Sequence, residues 1–333
     1  MTLAVAVAGA MFVGLVAYAV LGGADFGSGF YDLTAGGTTP GAELRTQVDH
    51  SIGPVWEANH VWLIYVLVMW WTAFPETFAA TMSTLIVPLL LALLGIVLRG
   101  AGFAFRKYSA TVSQARLYGA LFAGSSLIAP FFLGAAAGAV ASGRVPAQGN
   151  GDVWASWLTT TSLTVGVIAV ASCAFLAGTF LIADAARGGR DRLAEELRRR
   201  TLVVGAVTGV LVLGALVPIA QDAPTLAEGL TGRAAPLVAT SFLGGVLTLI
   251  LLVRQHFGVA RFSAVLAVGS VIVGWGVAQY PWLLVDEVTI TEAAGAPATL
   301  WSLLVVAALA AVIVVPALGY LYRLTQTEAW TRH

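Results

Sequence analysis

Glu57, Asn59 and His60 stand within four residues of one another, at the head of an apolar run that ends near Phe74. Such groups are costly in hydrocarbon, and where they persist they tend to mark proton relays, ion paths or ligand sites. Asp25, set among glycines in GGADFGSGF (residues 22–30), and Arg99, at the close of a third apolar run, have the same character. Glu57 and His60 are three apart and share a helix face, with Trp56, Asn59 and Trp62 on neighbouring faces. Carboxylates and an imidazole in series can pass protons, because burial and neighbouring charges tune their affinities. A structural cluster, in which Arg99 neutralises Asp25 or Glu57, uses the same residues, and an ion or ligand site is a third reading. Of the four histidines, His50, His60, His256 and His333, only His60 falls inside an apolar run. Facing histidines for a haem are therefore lacking. Cys173 is the single cysteine, so it forms no intrachain disulfide or CxxC site and reads as a small buried hydrophobe. P-loop, GxSxG, HExxH and GxGxxG patterns are absent.

The elements that must hold these residues are membrane helices. Hydrophobic residues make up 59% of the 333 residues and charged residues 10%, and mean hydropathy is +0.88. That composition excludes a soluble domain, and a net charge of zero gives no footprint for nucleic acid. Nine apolar cores lie near 3–22, 55–74, 77–98, 117–141, 159–183, 201–220, 236–253, 262–281 and 299–322. Each approaches the ~20 residues that cross a hydrocarbon layer roughly 30 Å thick. The second is the weak one and spans only if its helix starts near Pro54, which brings Glu57, Asn59 and His60 inside it. The first, apolar for about 20 residues and without a basic leader, reads as a retained span. Chain 1–333 reads as a single integral membrane domain, with the motif-bearing first bundle at about 1–141 and a second half at about 159–323.

Alternate loops are rich in arginine. Arg99, Arg106, Lys107 and Arg116 follow the third core, and six arginines lie within 187–200. Arg254 and Arg261 flank a further loop, and Arg323 and Arg332 follow the last core. The intervening loops hold only Arg144 and Arg233. The positive-inside rule then places the N-terminus outside and the C-terminus in the cytoplasm. In that topology Asp25, Glu57 and Arg99 come from three successive helices and lie at one level near the cytoplasmic face. His60 sits one turn deeper, ~4.5 Å. The glycines around Asp25 predict close backbone approach and a local break in the first helix. The run RGGRDRLAEELRRR, 187–200, predicts a solvated cytoplasmic helix end with helical ion pairs, and GAAAG, 134–138, predicts close helix packing.

GPVWEANHVWLI at 53–64 resembles the W-[DE]-x-N-x-V-W-L signature of subunit II of cytochrome bd-type quinol oxidases, and GGADFGSGF resembles that family's G-x-D-x-G-x-G segment. FPETFAA at 74–80 and LRGAGFAFR at 98–106 resemble its next two segments, and QYPWLL at 279–284 its Phe/Tyr-Pro near the last helix. The first 110 residues carry most of the likeness. It implies an all-α polytopic fold of nine transmembrane helices, two four-helix bundles plus one peripheral helix, in the prokaryotic cell (inner) membrane. It implies a homologous partner, subunit I, holding haem b and haem d, in a complex that oxidises quinol and reduces dioxygen to water. This chain would itself bind no haem or metal; some members add a structural quinone or a small accessory subunit.

Carried over by position, Asp25 matches the family aspartate of the first motif and Glu57 the acidic residue implicated in the proton path. His60 stands where relatives often have Gln or Glu, and its type and depth place it with Asp25 and Glu57 in the expected proton path. Trp62 lines the dioxygen channel in some members, and with Trp56 and Asn59 it is assigned to that channel or a quinone pocket. Arg99 is the structural or charge partner. No complete catalytic site is expected here; the chain takes part in catalysis as a subunit. From another class, a proton-coupled secondary transporter also accommodates mid-bundle carboxylates.

Overall fold

The computed structural model describes residues 2–37, 39–53 and 55–326. Pro54, Arg332 and His333, on which parts of the topology reading rest, lie outside the described residues.

The first span is one continuous rod. Helix α1 (Leu3–Ala17) runs through a π-helical turn (Tyr18–Gly22) into α2 (Gly23–Leu33). Thr2 opens it, its hydroxyl accepting the Val5 N–H at 3.4 Å. The expected break at the glycines does not occur. Instead the π turn shifts the register, and the glycines serve packing. A Cβ at Gly27 would lie 1.8 Å from the Cys173 carbonyl oxygen, and one at Gly29 would lie 2.3 Å from the Ser126 Cβ. Only a residue without a side chain lets α2 lie that close to its neighbours.

A short amphipathic helix, α3 (Ala42–Ile52), precedes α4 (Trp56–Ala73), whose 18 residues span ~27 Å. Pro75 at the first turn starts α5 (Pro75–Thr84), and α6 (Ile86–Lys107) follows a break at Leu85. Hydropathy places the third core at 77–98 and ends it at Arg99. The helix that satisfies a span runs instead over Ile86–Lys107, with Arg99 eight residues inside its end. A charge neutralised within the bundle does not end a membrane helix, and a window that scores every Arg as polar misses this.

Next come α7 (Val112–Ala141), α8 (Thr160–Arg187), α9 (Asp191–Asp222), α10 (Pro224–Thr231), α11 (Ala235–Val253), α12 (Phe257–Gln279) and α13 (Pro297–Gln326). Thr111 and Thr159 cap α7 and α8 through their hydroxyls. A two-stranded antiparallel hairpin, β1 (Trp282–Leu284) and β2 (Val288–Thr289), is the one non-helical element among the described residues. Among the described residues eight helices are long and apolar enough to cross a membrane, and a ninth crossing results when the bent pair α3–α4 counts as one span.

The core lies along α7 and α8, half of whose most apolar stretch is buried, against 6% for α13. α2 packs on both, and α13 touches α1 and α4. GAAAG behaves as expected: a Cβ at Gly134 or Gly138 would meet the α8 backbone within 3 Å. The helical ion pairs expected within 187–200 are present, Glu195 to Arg198 and Arg199 and Glu196 to Arg200, while Leu193, Ala194 and Leu197 of the same segment are buried in the core rather than solvated.

Candidate functional site: a two-tier ion-pair ladder and an outward carboxylate

Asp25, in the first turn of α2, faces Arg99 in the middle of α6. The Arg99 Nη2 donates to Asp25 Oδ1 at 2.6 Å and to the Asp25 carbonyl at 3.4 Å, and Nε donates to Ser126 Oγ at 3.1 Å. Both charged side chains are 1% exposed. The guanidinium also lies over the rings of Phe26 (5.1 Å) and Phe122 (5.2 Å). Ser126 passes its own proton to the Phe122 carbonyl at 2.6 Å, so its oxygen is free to accept from Arg99. The Asn59 amide donates to the Leu21 carbonyl in the π turn at 3.3 Å and lies beside the Asp25 carboxylate. Asp25 Oδ2 has no hydrogen-bond partner.

Seven residues further along both helices the arrangement repeats. Arg106 Nη1 donates to Asp32 Oδ2 at 2.5 Å, and Nη2 donates to Asp49 on α3. Arg45 Nε lies 3.4 Å from Asp32 Oδ1. The Arg106 guanidinium is 5.1 Å from the same Phe122 ring that Arg99 approaches. Two ion pairs, two helical turns or ~10.5 Å apart, thus share one aromatic ring. The outer pair was not singled out from sequence. Its signal was present: Asp25 and Asp32, like Arg99 and Arg106, are seven apart, so both pairs are separated by 74 residues.

His60 occupies an aromatic cage. Its ring is 6.1 Å from Tyr18, 5.8 Å from Phe26 and 6.5 Å from Trp56. Buried and without a hydrogen bond are His60 Nδ1, Tyr18 Oη and Trp62 Nε1. Trp62 packs with Tyr18, Phe26, Ala129 and Cys173, and Trp56 lies 5.7 Å from Phe103. Tyr18, Phe26, Ser126 and Phe122 complete this site and were not anticipated, since apolar and hydroxyl residues in a membrane helix carry no signal until a partner helix is known. Among the described residues no three His, Cys, Asp or Glu side chains gather as metal donors.

Glu57 does not join the cluster. It is exposed and makes no described hydrogen bond or ion pair. It lies on the outer face of α4, in register with Val61, Ile64, Val68 and Trp71, all exposed. Sequence reasoning set Glu57 and Asp25 at one level; the structure turns them to different sides of α4. Positions 57 and 59 are about 200° apart on a helix, so when Asn59 faces inward Glu57 must face out.

A family model described as cytochrome bd terminal oxidase subunit II matches residues 3–325. A curated relative, cytochrome bd ubiquinol oxidase subunit 2 of Bacillus subtilis (strain 168), is 34% identical over 125 residues, 37% of this chain and 35% of the relative. The aligned part is about a third of that relative's length. The fold resembles a chain in the structure of bd oxidase from Geobacillus thermodenitrificans, with a TM-score of 0.80, 25% identity, and coverage of 97% of this chain and 98% of that one. With the family's segment order carried on helices that cross the membrane repeatedly, this multi-pass protein of the cell membrane belongs to the cytochrome bd terminal oxidase subunit II family.

Proposed function

We propose that the chain is the haem-free second subunit of a quinol:dioxygen oxidoreductase, bound to a homologous subunit I that holds haem b and haem d. The carrying observation is Glu57 on an otherwise apolar outer stripe of α4. A carboxylate facing lipid costs about 2.5–3.5 kcal/mol at helix centre and less near the interface. A partner helix with polar groups removes that cost, so the α4 stripe is the docking face and Glu57 is shared between the chains.

Asp25 and Arg99 hold each other inside the bundle, and Arg99 acts as the fixed charge that keeps α2, α6 and α7 in register through Asp25 and Ser126. Glu57 on the outer face of α4 and His60 on its inner side then form the titratable part of the proton path, with the Asp25 Oδ2 acceptor in the interior cluster on the His60 side. Trp56, Asn59 and Trp62 line the interior next to His60, where dioxygen access or a structural quinone would be bounded. The helices group as two four-helix bundles, the first at about 1–141 and the second within the second half at about 159–323, where α13 is the peripheral ninth helix. The arginine-poor loops face out with the N-terminus, and the C-terminus is cytoplasmic. Arg106, Lys107 and Arg116 keep the α6–α7 end positive without Arg99. A small accessory subunit is a further partner, with quinol and dioxygen as substrates of the complex.

Affinity purification from the native membrane tests this reading. The tagged chain should bring down a polytopic partner of similar size with the visible bands of haem b and haem d. A colourless chain purified alone or as a homodimer would overturn it and favour a proton-coupled transporter.

A further inference from the structure

An apolar groove of about 510 Å³ opens on the membrane side between the first span and α12. Phe12, Val16, Val20 and Leu21 line one wall and Val265 and Val273 the other. The two helices run antiparallel: Gly276 of α12 sits against the Phe12 ring at one end, so Val265 lies towards the Leu21 end. The groove extends ~12 Å between the levels of Val265 and Val273.

One helical turn beyond Val265, on the same face of α12, stands Arg261. Its guanidinium lies 5.9 Å from the Phe180 ring and 5.0 Å from Phe262. Arg187 and Asp184, at the end of α8, are close enough to act on its charge. Arg187 is itself paired with Asp184, so two guanidiniums share the neighbourhood of one carboxylate. Arg190 and Arg254, at adjacent helix ends, make no ion pair among the described residues. His256 at the N-terminus of α12 caps with no side-chain hydrogen bond, and no acidic residue lies in that helix's first turn. A basic head position thus adjoins a dry slot that leads into the hydrocarbon.

We propose that this is a binding site for one anionic phospholipid of the leaflet at the arginine-rich end. The phosphodiester lies at Arg261 and Arg187, and one acyl chain occupies the groove between α1 and α12. Charge complementarity selects the anionic headgroup, since a polybasic patch at a membrane surface attracts anionic lipid. The all-apolar walls select a chain over a polar ligand, and the groove's membership of two helices makes the lipid a strut between the first span and the second half.

The test is native mass spectrometry and thermal unfolding of the complex as purified, after delipidation, with dioleoyl-phosphatidylglycerol or dioleoyl-phosphatidylcholine added in mixed micelles. One phosphatidylglycerol should be retained in preference to phosphatidylcholine and should raise the unfolding midpoint. Arg261→Gln should weaken retention about fivefold, and Val265→Trp, which fills the slot while leaving the charges, should abolish it. Arg192→Gln, equal in charge but on α9, should change nothing. Equal retention of both lipids overturns the proposal. So does an equal loss in Arg192→Gln and Arg261→Gln, which would mean diffuse surface charge. A quinone found in place of the phospholipid, or binding of inorganic phosphate alone at the same arginines with Val265→Trp silent, overturns it as well. If Arg261→Gln does not fold, Val265→Trp decides alone.

Discussion

The two halves of the molecule solve the polar-interior problem differently. The charged side chains buried among the described residues are Asp25, Asp32 and Arg99, all on α2 and α6. After residue 142 no charged side chain is fully buried among the described residues. The charged groups that reach inward there are half-buried, as where buried Thr161 donates to Asp222 Oδ2 at 2.9 Å, and the interior contacts of Thr248, Ser263 and Thr208 are neutral. Thr248 donates to Ser263 at 2.8 Å, Ser263 to the Gly244 carbonyl at 2.8 Å, and Thr208 to the Ala171 carbonyl at 3.2 Å. Hydroxyls that return their proton to a helix carbonyl hold helices together at little desolvation cost. Buried ion pairs are a poor way to gain stability, because desolvation offsets most of their attraction. Their confinement to the half that bears Glu57 and His60 fits the proposed function, in which the charges serve the site and the second half supports it.

The largest expected effect comes from breaking the inner tier. Arg99→Gln leaves the Asp25 carboxylate buried without its counter-ion and should cost about 3–5 kcal/mol, read as loss of folded protein or a lower unfolding midpoint in detergent. The double variant Asp25→Asn/Arg99→Gln removes both charges and should recover most of that loss. A double variant as unstable as Arg99→Gln alone would make the inner charges irrelevant to the difference between the halves.

Breaking the outer tier should cost less. Arg106→Gln frees Asp32 and Asp49, which lie nearer water and, for Asp32, keep Arg45 as a partner. A loss of about 1–3 kcal/mol is expected. A cost above that of Arg99→Gln would reverse the ranking of the tiers.

The sequence made the first span and those from α7 onward legible, along with the ion-paired segment at 187–200, because apolar runs and arginine loops follow directly from lipid and water. The third was found but set about nine residues early. The sequence also marked Asp25, Glu57, His60 and Arg99 as one cluster, of which the structure brings Asp25, His60 and Arg99 to one interior region and leaves Glu57 outside. What it hid depends on direction. Whether Glu57 points inward or outward is a question of helix phase, and α4 carries apolar residues on every side, so no polar stripe announces its outer face. Arg99 was read as a span end because its partner lies 74 residues away. The heptad step that repeats the Asp–Arg pair was visible, and it becomes meaningful only once α2 and α6 are known to run side by side.

In the second half the matching experiment is Thr248→Val. It removes a neutral hydrogen bond between α11 and α12 and should cost about 0.6 kcal/mol. A cost comparable to that of the inner tier would erase the contrast.

The smallest effect lies in the loop between α7 and α8. The Trp154 and Ala155 backbone N–H groups donate to the Asp152 carboxylate at 2.8 and 2.7 Å and hold it below the usual carboxylate range. A folded-state value below the unfolded one stabilises the loop above about pH 4. That contribution is lost as pH falls through the lowered value. The protection factors of the Trp154 and Ala155 amides, referred to the intrinsic exchange rate at each pH, should therefore fall in acid, and in Asp152→Asn they should already be lower at neutral pH, with the α2–α6 ladder unaffected.

In the proposed function Glu57 is a titratable carboxylate at a subunit boundary, serving proton supply to a buried oxygen-reducing site. Glu57→Gln keeps shape and polarity and removes the proton. Quinol oxidase turnover and proton uptake of the assembled complex measure the consequence most directly. Both should be slowed, with haem content and subunit assembly near normal. Turnover unchanged in Glu57→Gln and in the Asp25→Asn/Glu57→Gln double variant would contradict that role.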